Sequence, residues 1–338
     1  MCAGFRHLRR WTSRPDAGHI PGMRRRWNRG IRLACLLATL LAPGGGAIAA
    51  CEVAQQADVP VRIVAGVPVV GVQVNDVTLP FVLDTGAQRS LVTDATVQRA
   101  ALRLDEWAET TVKGISGYER HRNADPVSLA LGGIALRRRT LAHDSTLTVG
   151  PLPQGAFAEH DIAGLLGADF LGGFDLDLAM PHGRLSLYRV TGCTAQSLGR
   201  LLPWPPGYAS IQASALIRDV LTFPVELDSI TLRTEIDTGS SIGLLTASGI
   251  DRMGLSTEML AQDPGGSVSG VGRFAVAMRR HRFGALQIGA ERIAAPTVWA
   301  ARVHVLPIVD LLLGGDWLRG RRVWFSYATS QIFVATGG

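Results

Sequence analysis

Phe81-Val82-Leu83-Asp84-Thr85-Gly86-Ala87 has a counterpart in the second half of the chain, Thr234-Glu235-Ile236-Asp237-Thr238-Gly239-Ser240. A single Asp-Thr-Gly is weak information, because short motifs recur by chance. Two copies behind matching strand-like runs carry more. Carboxylates brought together from two equivalent loops can share one proton, one acting as acid and the other as base, and such a pair activates water without a metal.

The likeness extends well past the tripeptide. Asp84–Leu102 and Asp237–Leu255 align without a gap, with identities at Asp, Thr, Gly, Leu, Thr, Arg and Leu. Downstream, Gly164-Leu165-Leu166-Gly167-Ala168-Asp169-Phe170-Leu171 matches Leu311-Leu312-Leu313-Gly314-Gly315-Asp316-Trp317-Leu318. Between these, Leu129–Gly133 echoes Leu286–Ala290, a strand running into a turn. Three landmarks in one order describe a single unit used twice.

Each unit reads as mostly strand. Val61–Val64, Val69–Val74 and Leu79–Leu83 are apolar, β-branched runs broken by Gly, by Pro68 and by the Asn75-Asp76 turn. Short helices are expected at Thr93–Ala101 and Thr246–Met253, with Thr93 and Thr246 as N-caps. Pro203, Pro205, Pro206 and Gly207 mark residues 193–208 as a linker, dividing a lobe at 51–192 from one at 209–338.

These residues resemble the retropepsin- and pepsin-like aspartic proteases, in a single-chain, bilobal, bacterial form. Asp-Thr-Gly behind apolar residues, followed by Leu165-Leu166-Gly167 and Leu312-Leu313-Gly314, is similar to that family's signature. Val323–Tyr327 and Gln331–Val334 look like its C-terminal hairpin, so the resemblance covers residues 60–335. It implies an all-β-dominated fold of two retropepsin-like β-barrel lobes with a cleft between them and few short helices. It implies an aspartic endopeptidase whose Asp84 and Asp237 activate water directly, with no acyl-enzyme and no cofactor. Thr85 and Thr238 would cross-link the two loops, and Gly86 and Gly239 would let backbone approach the carboxylates. One chain supplies both carboxylates, so a monomer acting on a peptide or protein substrate is expected. Ser240, where the first copy has Ala87, would donate its hydroxyl to Asp237 and keep that residue charged, leaving Asp84 as the acid.

The formal charge of +6 suggests a polyanion partner at first glance. Residues 1–50, however, hold nine Arg and one acid, which leaves 25 basic and 27 acidic residues in 51–338. The basicity belongs to the leader, and no nucleic-acid partner follows from it. That leader reads as a signal peptide: a basic run from Met23, which is a possible start, to Arg29, an apolar Leu33–Ala42, and a small-residue exit. Ala49-Ala50-Cys51 resembles a lipobox with Cys51 lipidated, whereas Ala47-Ile48-Ala49 suits an ordinary cut. The protein is therefore expected to be exported, periplasmic or membrane-anchored. Past the leader only Cys51 and Cys193 remain, and they can pair only if Cys51 carries no lipid.

Gly114–Tyr118 and Gly265–Gly272 stand where lids over the cleft belong, with Tyr118 a candidate cleft residue; ordinary surface hairpins are the plainer reading. Gly239-Ser240-Ser241-Ile242-Gly243 spells a nucleophile elbow, for which Asp263 and His281 or His304 could complete a serine-hydrolase triad. That reading leaves the duplication unexplained. A non-catalytic, peptide-binding descendant is a further alternative. No H-E-x-x-H or paired C-x-x-C suggests a metal. Arg137–Arg139 and Arg279–Arg282 read as solvated strand faces.

One residue is out of character. Side chains two apart on a strand share a face, so Val82 and Glu235 should point with Asp84 and Asp237 toward the substrate. Val82 suits a peptide subsite, but Glu235 is a charge. Either a twist turns Glu235 to solvent or to Arg233, or it faces the cleft, favours a basic substrate side chain and raises the aspartates' pKa.

Overall fold

The structure, a computed structural model, describes residues 50–335 apart from 116, 138–145, 154–156, 158, 205–206, 214, 218, 271–273 and 306–308. The expected leader lies outside these residues, as do Ser116, Arg138, Arg139, Pro205, Pro206, Val271 and Gly272.

Val67–Val74 and Val77–Leu83 pair antiparallel across the Asn75-Asp76 turn, with Val69 opposite Val82. Asn75 takes a left-handed φ of 52°, a conformation asparagine tolerates. Its amide donates to the Ala100 carbonyl at 2.6 Å, and its Oδ1 accepts from the Val127 N–H at 2.7 Å. Alternation then sorts the second strand: Leu79, Phe81 and Leu83 enter the main core, and Val82 faces the other way. In the second half, Val220–Leu227 and Ile230–Ile236 repeat the arrangement, with Thr222 opposite Glu235.

The apolar-apolar-Gly segments thread into these sheets. Gly164–Leu166 lies parallel to Val77–Leu83 and antiparallel to Leu91–Val92. Leu311–Leu313 does the same beside Ile230–Ile236 and Leu244–Leu245. Each half forms a ten-stranded sheet, and the strand orders correspond element by element from the flap hairpin to the far edge. The expected helices are present as Asp94–Arg99 and Ala247–Arg252. Thr93 Oγ1 accepts from the Thr96 N–H and Thr246 Oγ1 from the Gly249 N–H.

A third sheet joins the halves. It runs through Glu52–Pro60, Arg184–Thr191, Asp175–Ala179, Arg322–Ser326, Gln331–Ala335 and Tyr208–Gln212 in that spatial order. The expected C-terminal hairpin is therefore the centre of a shared sheet. Asp177 accepts from Arg322 Nε at 2.8 Å and from Trp204 Nε1 at 3.2 Å, so this buried charge is paired across the two halves. The linker is more ordered than its prolines suggest, because Ala195–Leu201 is helical. Thr194 and Ser197 form a capping box, and Leu198 packs under Tyr188, Trp324 and Phe333.

Cys51 and Cys193 form a disulfide that ties the first strand to the start of this linker. It corrects the expectation of lipid on Cys51, since a sulfur held in a disulfide cannot also carry a thioether-linked lipid. The bond closes a loop of 142 residues. Cys193→Ser is expected to lower the unfolding free energy by about 2–5 kcal/mol in denaturant titration. Non-reducing peptide mapping of the wild type should recover the linked pair, and a free thiol at Cys193 in oxidised protein would refute the assignment.

Candidate active site

Asp84 and Asp237 each stand one residue beyond the end of a buried central strand, and both side chains are half-buried. The threaded segments fix where those strands stop. Asp84 N–H donates to the Leu166 carbonyl and Asp237 N–H to the Leu313 carbonyl, each at 2.9 Å.

The following threonines hold the loops against each other. Thr85 N–H donates to Thr238 Oγ1 at 3.0 Å, and Thr238 N–H donates to Thr85 Oγ1 at 3.2 Å. Each hydroxyl passes its own proton on: Thr85 Oγ1 donates to the Ile236 carbonyl at 2.6 Å, and Thr238 Oγ1 to the Leu83 carbonyl at 2.5 Å. Both threonines are buried. The glycines after them leave room for the opposite carboxyl. A Cβ on Gly86 would lie 2.7 Å from Asp237 Cγ, and one on Gly239 would collide with the Asp84 carboxyl.

Burial raises the Asp84 carboxyl well above the ordinary range, and repulsion from Asp237 raises it further. The N–H groups of Ala87, at 2.8 Å, and Gly86, at 3.1 Å, act against that shift. Asp237 is also raised by burial, but the Gly239 N–H at 2.9 Å and a hydrogen bond from Asp84 favour its charged form. The upward shift is thus the larger at Asp84, and the cause lies in burial and in the neighbouring charge. The Ser240 hydroxyl donates to the Ile242 carbonyl at 2.8 Å and not to Asp237.

A second pair of acids escaped the sequence reading. Asp169 accepts from both the Ser90 N–H and the Ser90 hydroxyl, at 3.0 and 2.7 Å, and Ser90 Oγ accepts in turn from the Gly167 N–H. In the second half Asp316 accepts from the Gly243 N–H at 2.9 Å. These bonds, with Ala168 N–H to the Ala87 carbonyl and Gly315 N–H to the Ser240 carbonyl, lock each Asp-Thr-Gly loop onto the short helix that carries the acid, Ala168–Leu171 or Gly315–Leu318. The signal was available: Gly-x-Asp follows the apolar-apolar run in both halves, in Gly167-Ala168-Asp169 and Gly314-Gly315-Asp316.

The expected lids are hairpins, Arg103–Gly114 with Gly117–Asp125 and Gly265–Val268 with Val276–Arg282. Tyr118 does not reach inward. Its ring is 71% exposed and lies 5.4 Å from Lys113 Nζ. Ile115 at the tip packs instead on the apolar cluster of the second half, and a Cβ on Gly270 would lie 3.1 Å from its side chain. The two hairpins thus meet. Val82 is buried in an apolar cluster with Val69, Leu91 and Leu165. Glu235 turns neither to solvent nor to Arg233: it is fully buried, and among the described residues neither carboxyl oxygen has a hydrogen-bond partner. Burial, then repulsion from Asp237 and Asp84, push its pKa well above 4.5.

The elbow-like Gly239–Gly243 is a loop leading into the short strand Leu244–Leu245, without the long helix a nucleophile elbow needs. Asp263 does meet His281, at 2.7 Å. Among the described residues no hydrogen bond joins Ser241 to His281 or His304, so the triad reading is set aside. Among those residues, too, no group of three or more His, Cys, Asp and Glu is placed to hold a metal.

Comparison with protein families gives a match to a family described as Aspartyl protease, over residues 70–170 and again over 223–317, together more than half of the chain. Comparison with curated proteins gives no match.

Two outcomes follow from this geometry. Thr238→Val strips partners from the buried Thr85 N–H and Leu83 carbonyl and should cost roughly 2–4 kcal/mol in denaturant titration; a neutral result would deny the cross-link its role. Glu235 supplies the second. A carboxyl whose folded pKa is raised above 4.5 contributes stability that is complete below that pH and is lost as pH rises through the folded value. Glu235→Gln does not titrate, so its melting temperature should gain on the wild type as pH rises above 4.5. A gap that stays constant with pH would contradict a buried, unpaired Glu235.

Proposed function

Because the chain belongs to the aspartyl protease family, we propose that it is an aspartic endopeptidase whose Asp84 and Asp237 carry the chemistry. The observation that supports this most is the pair itself: two carboxyls brought together by the cross-linked threonines, both raised by burial and Asp84 the more strongly. A water between them loses a proton to Asp237 as its oxygen bonds to the scissile carbonyl carbon. Asp84 gives its proton to the carbonyl oxygen, and a neutral tetrahedral diol results. Collapse breaks the C–N bond, and the proton taken up by Asp237 passes to the leaving amine while a diol hydroxyl returns one to Asp84. Asp84 is then protonated and Asp237 charged as at the start, and the pair is ready for the next water. Ile115 and the second hairpin cover the site and exclude bulk solvent.

The Cys51–Cys193 disulfide and the basic-apolar leader support action in an oxidising compartment after export. We place the protein in the bacterial periplasm, as a monomer, since one chain holds both carboxyls.

Asp84→Asn and Asp237→Asn should each lower cleavage of a mixed peptide library by at least about a hundredfold while the fold, read by circular dichroism, is kept. Either variant retaining half the wild-type rate sinks the mechanism. A wild type that binds peptides and cleaves none would support the binding-module alternative. The rate should also trace a bell against pH whose limbs both lie above 3.8, the ordinary Asp value, because burial raises both carboxyls. The two limbs belong to the pair and not to either residue. A profile with its alkaline limb at or below 3.8 would contradict the shared proton.

A further inference from the structure

The faces beside the two aspartates are equivalent in backbone and unlike in chemistry. Residues directly opposite on paired strands share a face. Val82 stands opposite Val69 and Leu165, and with Val67, Leu91 and Phe157 these make a wholly apolar patch next to Asp84. The same positions next to Asp237 are Thr222 and Leu312, with Val220 and Leu244 beyond, and Glu235 stands where Val82 would be. Ile115 of the first lid and the partly buried Trp299 and Met278 pack on this second patch.

Glu235 is costly there. A buried polar group left without a partner costs about 1–3 kcal/mol, and more if it is charged. Valine in the equivalent place shows that the backbone accepts an apolar residue. The charged groups that act on Glu235 are Asp237 and Asp84, and both repel it. Among the described residues no cation meets this carboxyl, whereas one supplied by a substrate would.

We propose that Glu235 is a specificity-determining residue: the substrate's lysine or arginine next to the scissile bond enters the Leu312–Val220–Leu244 patch beneath Ile115, and its charged end pairs with Glu235. The subsite around Val82 takes an apolar side chain on the other side of the bond. The inference rests on the peptidase reading of Asp84 and Asp237, and names its substrates as peptides with a basic and an apolar residue flanking the cut. Glu235 touches the substrate side chain and takes no part in bond making.

The test profiles wild type, Glu235→Gln and Glu235→Val on one peptide library, followed by kcat/KM on paired peptides that differ only in lysine against norleucine. Wild type should prefer lysine by at least about tenfold, the scale of a buried charge pair. Glu235→Gln should lose that preference, and Glu235→Val should reverse it. A wild type without basic preference, or either variant that keeps it, overturns the proposal. Thermal melts of both variants show that each is folded. A second arm reads binding without turnover: the same peptide pair is titrated onto Asp84→Asn and onto Asp84→Asn with Glu235→Gln. Tighter lysine-peptide binding only where Glu235 is present, with no cleavage by the wild type, upholds the subsite and removes the peptidase reading. Cleavage with no lysine discrimination in either arm does the opposite. Failure of the lysine peptide to bind overturns the subsite.

Discussion

Two hydroxyl groups hold the centre of this molecule together. Thr85 and Thr238 each accept the other's backbone N–H and donate to the carbonyl just before the opposite aspartate. Every polar atom involved is buried, so sliding one loop past the other by a fraction of an ångström would strand several of them at once. The carboxyls gain their proximity from this arrangement, although their own interaction opposes it: both are raised by burial, and the charge on one resists ionisation of the other. A scaffold must supply the difference. Here the threonines do so, and the glycines beside them keep the space clear.

Behind the threonines the support is laid down twice. The Leu166 and Leu313 carbonyls stop each strand at its aspartate, and Asp169 and Asp316 tie each loop to the short helix after the threaded segment. Beside the aspartates the copies share their strand register and diverge in side chains. Ser240 replaces Ala87, and its hydroxyl is spent on the Ile242 carbonyl. Glu235 replaces Val82 in the same backbone register and sets a buried carboxyl, itself raised by burial and by both aspartates, beside the pair. A duplicated backbone thus holds a site that is not chemically symmetric.

The repeat made most of this legible in the sequence. Asp-Thr-Gly, the apolar-apolar-Gly segments and the capping threonines are local patterns with local consequences, so Thr93 and Thr246 could be read as caps from position alone. Strand alternation also placed Val82 and Glu235 on the aspartates' face. What alternation does not encode is how far a neighbouring hairpin closes over that face, so the full burial of Glu235 and the inward role of Ile115 in place of Tyr118 needed the structure. The linker helix was obscured by four proline and glycine residues at its end, although Thr194 and Ser197 mark its start. Cys51 admitted two chemistries, and only the proximity of Cys193 distinguishes them. Asp169 and Asp316 were quoted as part of a repeat without a task, because their partners Ser90 and Gly243 lie more than 70 residues away.

The sheet shared by the two halves takes strands from both ends of the chain and from its middle: residues 52–60, 175–179, 184–191, 208–212, 322–326 and 331–335. Its order of assembly therefore runs against the order of synthesis. A nascent polypeptide that has grown as far as the linker helix has one carboxyl, no Thr238 to hold Thr85, and an Asp177 still waiting for Arg322. The strand Asp175–Ala179 has one of its two neighbours and an open edge. Completion comes only with the last few residues, so the newborn chain stays latent by topology. A truncation that removed only the final hairpin would leave both Asp-Thr-Gly loops in the sequence and take away the seam that joins the halves carrying them.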